Sequence, residues 1–418
     1  MNEFEYKNSE LYVENVSLRS IAEDIGTPCY VYSKKAFLDV YHQYADAVGN
    51  TGMACYAVKA NSNLAVLNLL AKAGAGFDIV SIGELERVLK AGGKPDRIIF
   101  SGVGKTETEM RRALEVGIAC FNIESLPEID RLAEIAQSMG KIAPISIRVN
   151  PDVDAKTHPY ISTGLKDNKF GIDIDEAENA YLHASQFPSL AIKGIDCHIG
   201  SQLTDVSPLL EACDRLIVLS DRLAERGIHI SHLDLGGGIG VTYRDEKLPS
   251  IAGYFDAVKK KIGARNLSIM CEPGRSIAAN AGVLLTRVEY LKETAHKNFA
   301  VIDAAMNDYI RPALYQAWQH ILPLAQESNS DSEIKSWNLV GPVCESADFI
   351  GHDRDLNLQP GDLLSIMSTG AYGFVMSSNY NSRGRAAEVM VDGDEYYVVR
   401  KRETFEDLIS GESVLPNA

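Results

Sequence analysis

Cys55-Tyr56-Ala57-Val58-Lys59-Ala60-Asn61-Ser62 joins an apolar run of strand length, a lysine at its end and a polar turn. A lysine where a strand leaves the core is open to partial desolvation, which disfavours the ammonium form and makes Lys59 a candidate Schiff-base former. The structural alternative is a lysine that ends the strand and snorkels to water. Just downstream, Leu64, Leu67 and Leu70 recur at helical spacing and Gly74 stops the helix. The stretch therefore opens a strand–helix unit.

That unit repeats. Apolar runs predict strands at 54–59, 76–81, 97–101, 119–123, 144–150, 192–199, 232–235 and 268–272. Helical patterns at 64–73, 84–91, 107–115, 128–139 and 208–226 lie between them. Eight units in about 240 residues match a (β/α)8 TIM barrel, and eight parallel strands favour closure. An open doubly wound sheet is the runner-up. Before the barrel, residues 1–34 read as strand and turn, with 28–32 the clearest strand. Beyond Ala279, strand-like runs at 282–292, 298–302, 362–366 and 396–399 predict a second, mostly antiparallel β domain. Gly, Pro and Asp turns such as Gln359-Pro360-Gly361-Asp362 separate several of these runs. Residues 326–333 are polar enough for an exposed loop. No internal repeat beyond this alternation, and no extended low-complexity segment, is visible.

Composition sets the outer bounds. A chain of 418 residues is long for one domain, and 45% hydrophobic content supports large cores. A formal net charge of −16 argues against nucleic acid and anionic membrane surfaces as partners. No apolar stretch is long enough for a bilayer span, and MNEFEYKNSE has no signal-peptide pattern. Seven scattered cysteines (29, 55, 120, 197, 213, 271 and 344) without a CxxC pair fit reduced cytoplasmic thiols and no metal cluster.

In a (β/α)8 barrel, active sites are built at the C-terminal ends of the strands. Lys59, Asp78, Arg148, Asn150, His198, the run Gly236-Gly237-Gly238-Ile239-Gly240 and Glu272-Pro273-Gly274-Arg275 all fall there. Each has a plain alternative. The glycine run suits either close backbone approach to a phosphate or a tight turn, and its spacing is not a dinucleotide fingerprint. His198 is either a satisfied core histidine or a ring stacked on a flat cofactor. Glu272 and Arg275 form either a structural ion pair or a carboxylate for a pyridine nitrogen beside an anion-binding guanidinium. Cys344 is either a small buried hydrophobe or, beside Glu345 and Asp348, a thiol in a polar setting. The histidines and carboxylates lack metal-ligand spacing.

YAVKAN at 56–61, HIGSQ at 198–202, GGGIG at 236–240 and EPGRS at 272–276, in this order, resemble the alanine-racemase-type (fold III), pyridoxal-phosphate-dependent decarboxylases. Members of that family act on diaminopimelate, ornithine, arginine or carboxynorspermidine. Arg311-Pro312-Ala313-Leu314-Tyr315, Gly341-Pro342-Val343-Cys344-Glu345-Ser346-Ala347-Asp348, Gly370-Ala371-Tyr372-Gly373 and the tail Glu388-Val389-Met390-Val391-Asp392-Gly393 are most similar to the diaminopimelate branch. The resemblance runs from about residue 28 to about residue 408.

It implies an alanine racemase-like fold, with a cofactor-binding barrel over 35–278 and a β-rich domain of 1–34 and 279–418. It implies decarboxylation of meso-2,6-diaminopimelate to L-lysine and carbon dioxide, with carboxynorspermidine decarboxylation as the alternative and a non-catalytic binding relative more remote. Lys59 would bear pyridoxal phosphate, His198 would stack on its ring and Glu272 would face the pyridine nitrogen. Ser201, Gly237, Gly274 and Arg275 would gather the phosphate, with Arg275 also reaching substrate. Arg311 and Tyr315 would bind the distal carboxylate, Glu345 the distal amino group, and Tyr372 both cofactor and substrate. Cys344 would return the proton. A homodimer with shared active sites is implied, Lys59 coming from one subunit and Cys344 and Glu345 from the other. Ser162-Thr163-Gly164 and Lys169-Phe170-Gly171 suit a loop over 158–171 that closes on substrate.

Overall fold

The computed structural model describes residues 3–154, 169–326 and 334–416, and its chain divides into two compact units. The loops expected at 158–168 and 327–333 lie outside the described residues. One unit comprises Leu38–Thr242 and Glu246–Ile277, the other Met1–Phe37, Tyr243–Asp245 and Ala278–Ala418.

Among the described residues the first unit is a closed barrel of eight parallel strands. They are Met53–Ala57, Gly76–Ile79, Ile98–Phe100, Cys120–Ile123, Ala143–Asn150, Leu190–Asp196, His232–Asp234 and Ser268–Cys271, each paired with its neighbours in sequence. Met270 pairs with Met53 and Cys271 with Ala54, which closes the ring. All eight predicted strands are present, most of them trimmed at one or both ends. The open sheet is excluded by that closing register.

The helices follow their local chemistry. Leu64–Lys72 is capped by Asn63, whose side chain accepts from the Ala65 N–H. It buries Leu67 and Leu70 of the predicted stripe together with Val66, while Leu64 in its first turn is exposed. Glu107–Val116 opens with a Thr106/Glu109 capping box and stops at Gly117 in the left-handed region. Inside the barrel, Cys55, Ile99, Cys120 and Met270 form an apolar layer. Toward the C-terminal strand ends the buried residues become polar: Asp78, Ser101, Asn122, Asp196, Asp234 and Glu272. Strand alternation puts both layers on one face of each strand.

The second unit is mostly antiparallel. Gly282–Glu293 pairs antiparallel with Cys29–Ser33, Asn298–Ile302 and Leu363–Ile366. Two parallel pairings also occur, Asn298–Ile302 with Lys335–Val340 and Cys29–Ser33 with Ala387–Asp392. Residues 1–34 are not strand and turn alone. Leu18–Ile25 is a helix that seats Leu18, Ile21 and Ala22 among Val13, Val31, Val283 and Val389. Its short apolar pattern between strand-like segments hid it, and burial against the sheet decided it.

Candidate functional site

Lys59, expected at a strand end, lies two residues past it. The strand ends at Ala57, and Val58–Ala60 is a single 3-10 turn carrying the lysine. Its Nζ donates to Asp78 Oδ2 at 2.5 Å, and its side chain keeps 40% exposure while the Asp78 side chain has none. The expected desolvation of the lysine thus gives way to an ion pair. A buried carboxylate holds the ammonium, and the lysine reacts as an amine only after giving up that proton.

Opposite this pair lies a buried acidic layer. Glu272 Oε1 accepts from Ser101 Oγ at 3.3 Å and from Asn122 Nδ2 at 3.2 Å. Asn122 also donates to Ser101 Oγ, tying three strand ends together. Burial, then Asp78, Asp234 and Asp196, push the Glu272 carboxyl well above the usual range, with Lys59 opposing. Burial pushes Asp234 up to about 7 despite the hydrogen bond from Gly236 N–H, with Asp78 adding to the rise and Lys59 and Arg148 opposing it. Arg148 is paired to Glu124 at 2.9 Å, and Glu124 also accepts from Gly171 N–H. The Arg275 guanidinium donates through Nε and NH2 to Ser201 Oγ, at 3.1 and 3.0 Å. Glu272 thus lies in an acidic layer, while Arg275 and Ser201 together offer an anion site.

His198 lies two residues past its strand. Burial, with Arg148 and Lys59 adding, pulls its pKa down to about 3, so the ring is neutral. Its Nδ1 accepts from Gly237 N–H at 3.2 Å, which puts the ring proton on Nε2. Gly237, expected to gather phosphate, here uses its N–H to orient His198. A side chain there would collide with the Glu272 carbonyl, since a Cβ would come within 2.5 Å of that oxygen. At Gly274, a Cβ would lie 3.0 Å from that of Ala57 and 3.1 Å from that of Ala60, so the Gly274-Arg275 turn packs directly on the Lys59 turn.

These residues fit pyridoxal phosphate. A guanidinium and a hydroxyl meet as an anion site, a flat neutral ring stands by, an amine is in reach, and a carboxyl faces inward for a basic ring nitrogen. Lys59, His198, Ser201, Gly237, Glu272, Gly274 and Arg275 are thus assembled within one unit.

The other five predicted residues belong to the β-rich unit. Arg311 begins the short helix Arg311–Tyr315, is buried, and has its guanidinium 5.1 Å from the Tyr315 ring centre and 5.7 Å from that of Tyr372. Its Nε has no hydrogen-bond partner among the described residues. A cation between two aromatic faces with an unused donor is suited to a carboxylate. Tyr372 has φ +54°, a left-handed conformation uncommon for tyrosine. Cys344 is exposed, unlike the six other cysteines, so the buried-hydrophobe alternative fails. Its N–H donates to Asn381 Oδ1, and Glu345 Oε2 accepts from Tyr380 Oη at 3.4 Å. Asp348 holds their turn by accepting from Met306 and Val343 N–H. No hydrogen bond or ring contact among the described residues joins Cys344 or Glu345 to Arg311.

Sequence reading missed Asp196 and Asp234. Both sit two residues before a recognised strand-end position, His198 and Gly236, and period-two alternation could have found them.

Comparison with known proteins follows these features. Residues 35–279 match the family described as "Pyridoxal-dependent decarboxylase, pyridoxal binding domain". The chain is 60% identical to a diaminopimelate decarboxylase of Pseudomonas aeruginosa over 417 residues, covering 100% of both chains. It is 58% identical to one of Vibrio cholerae over 419 residues, again covering 100% of both. A crystal structure of diaminopimelate decarboxylase from M. jannaschii in co-complex with L-lysine superposes with a TM-score of 0.94 at 38% identity, covering 99% of this chain and 98% of that one.

Proposed function

The chain belongs to the family of pyridoxal-dependent decarboxylases, and on that premise we infer that it converts meso-2,6-diaminopimelate to L-lysine and carbon dioxide. The observation that carries this reading is identity of 60% along the whole length of a relative named for that reaction. When bound, pyridoxal phosphate supplies the electron sink that decarboxylation needs.

The chain's own residues divide the remaining work. Asp78 holds the Lys59 ammonium and, as substrate arrives, takes part in deciding where that proton goes. Ser201 and Arg275 would hold the cofactor's anionic group, and neutral His198 would stack on its ring. Glu272 would face the ring nitrogen and keep it protonated. Arg311, walled by Tyr315 and Tyr372, takes the distal carboxylate in a forked contact, and Glu345 takes the distal ammonium. A site that spends one buried cation and one carboxylate on that end rejects substrates lacking either charge, because its own groups would be left unpaired. Cys344 Sγ delivers a proton to the carbon that has lost carbon dioxide.

We also propose a homodimer in which one subunit's Cys344 and Glu345 serve the other's Lys59. The support is the family resemblance and the exposure of both residues. A cytoplasmic location is consistent with the thiol pattern, and no helix among the described residues is long and apolar enough to cross a membrane.

The decisive assay is carbon dioxide release from meso-diaminopimelate with added pyridoxal phosphate. L-lysine, ornithine, arginine and carboxynorspermidine run in parallel, with Lys59→Ala as the blank. Turnover of meso-diaminopimelate alone is expected. Turnover of carboxynorspermidine alone would overturn the roles given to Arg311 and Glu345.

A further inference from the structure

Asp196, Asp234 and Glu272 end three successive barrel strands, and each offers a carboxylate oxygen within 4.8 Å of the others'. They are 2%, 0% and 8% exposed. Asp196 Oδ1 and Asp234 Oδ2 have no hydrogen-bond partner among the described residues. The charged groups facing them are already engaged: Lys59 with Asp78, and Arg148 with Glu124. The surrounding thiols of Cys55, Cys120, Cys197 and Cys271 are held protonated by burial. Three carboxylates this close in a dry interior do not all ionise; the cluster retains a proton. On Glu272, both donors, Ser101 and Asn122, go to Oε1, which leaves Oε2 as the oxygen free to carry it.

We propose that Asp196, Asp234 and Glu272 jointly store one proton in the cofactor-free protein, and that Glu272 hands it to the ring nitrogen of pyridoxal phosphate as the cofactor binds. The Glu272 O–H bond breaks, an N–H bond forms, and the electron pair of the broken bond stays on the carboxylate. Asp196 and Asp234 are positioning residues: their proximity raises the proton affinity of Glu272, so the nitrogen is charged without a proton from solvent. The inference rests on the pyridoxal phosphate reading above. Burial and the neighbouring Asp78, Asp234 and Asp196 shift Glu272 in the required direction.

Two measurements on the full-length protein test it. In infrared difference spectra at about pH 8, well above the ordinary carboxylic range, cofactor-free wild type shows a protonated-carboxyl C=O band that disappears on loading with pyridoxal phosphate. No such band in the cofactor-free protein overturns the proposal, and this reading needs no variant to fold. Titration calorimetry with pyridoxal phosphate, in buffers of different ionisation heat, counts the protons taken up on binding. The Asp196→Asn/Asp234→Asn double variant is expected to take up more protons per cofactor than wild type, because its Glu272 has lost two of the three carboxylates that raise it and ionises more readily in the cofactor-free protein. Equal uptake overturns the proposal, whereas a merely structural role for the two aspartates would leave the count unmoved. Failure of the underlying cofactor reading looks different: wild type then gives neither binding heat nor a new absorption band.

Discussion

At the scale of single residues, the proposed roles turn on where protons are held. Cys344 is the exposed thiol, on a turn pinned by Asp348. Cys344→Ala should keep the absorption of bound cofactor and lower kcat on meso-diaminopimelate by about 10²- to 10⁴-fold, the usual worth of a positioned acid. Turnover near wild type would remove the proton-donor role. His198 makes a pH prediction. Burial, with Arg148 and Lys59, pulls its pKa from 6.5 down to about 3, so below pH 6.5 the unfolded chain binds a proton that the folded chain refuses. Stability therefore falls as the pH drops from 6.5 toward 3. Chemical denaturation at about pH 5 should show His198→Asn taking up roughly one proton fewer on unfolding than wild type. An unchanged pH slope would mean that the ring is protonated in the fold. The raised carboxyls of Asp234 and Glu272 act in the opposite sense, favouring the fold at low pH and losing that contribution as the pH rises, so the wild-type comparison isolates the histidine.

At the scale of elements, Glu109 joins two helices. Its Oε2 closes the capping box with Thr106, and its Oε1 accepts from Ile82 N–H at the start of the preceding helix, Ile82–Lys90. Thr106→Ala should cost about 1 kcal/mol, measured by urea unfolding. Glu109→Ala should cost more, about 2 kcal/mol, because it strips an acceptor from two helix starts at once. Equal costs would show that water replaces the carboxylate at Ile82. The lesson for reading is also local. The capping residues and Gly117 were visible as helix punctuation, whereas the helix Leu18–Ile25 was not. Eight residues between strands carry too little periodicity, and its face is defined by the sheet it covers.

At the scale of the molecule, the proposed shared sites are open to complementation. Mixing subunits carrying Lys59→Ala with subunits carrying Cys344→Ala, after reversible dissociation, should restore roughly a quarter of wild-type activity. Random pairing makes half of the dimers mixed, with one of two sites intact. No recovery, with mixed dimers demonstrated by mass, would mean that Lys59 and Cys344 act within one chain.

The eight barrel strands, five of the helices between them and the placement of Lys59, His198, Glu272 and Arg275 at strand ends were legible in the amino-acid sequence. Periodicity and punctuation are local properties, and strand ends carry the polar residues that a core cannot hold. What only the tertiary structure decided is which groups face one another. That Asp78 meets Lys59, that Arg275 turns to Ser201, and that Asp196 and Asp234 crowd Glu272 all depend on barrel closure. Closing the ring brings residues far apart in sequence, Asp78 and Glu272 among them, into one buried interior. There, charge is governed by through-space distance, which no spacing along the chain records.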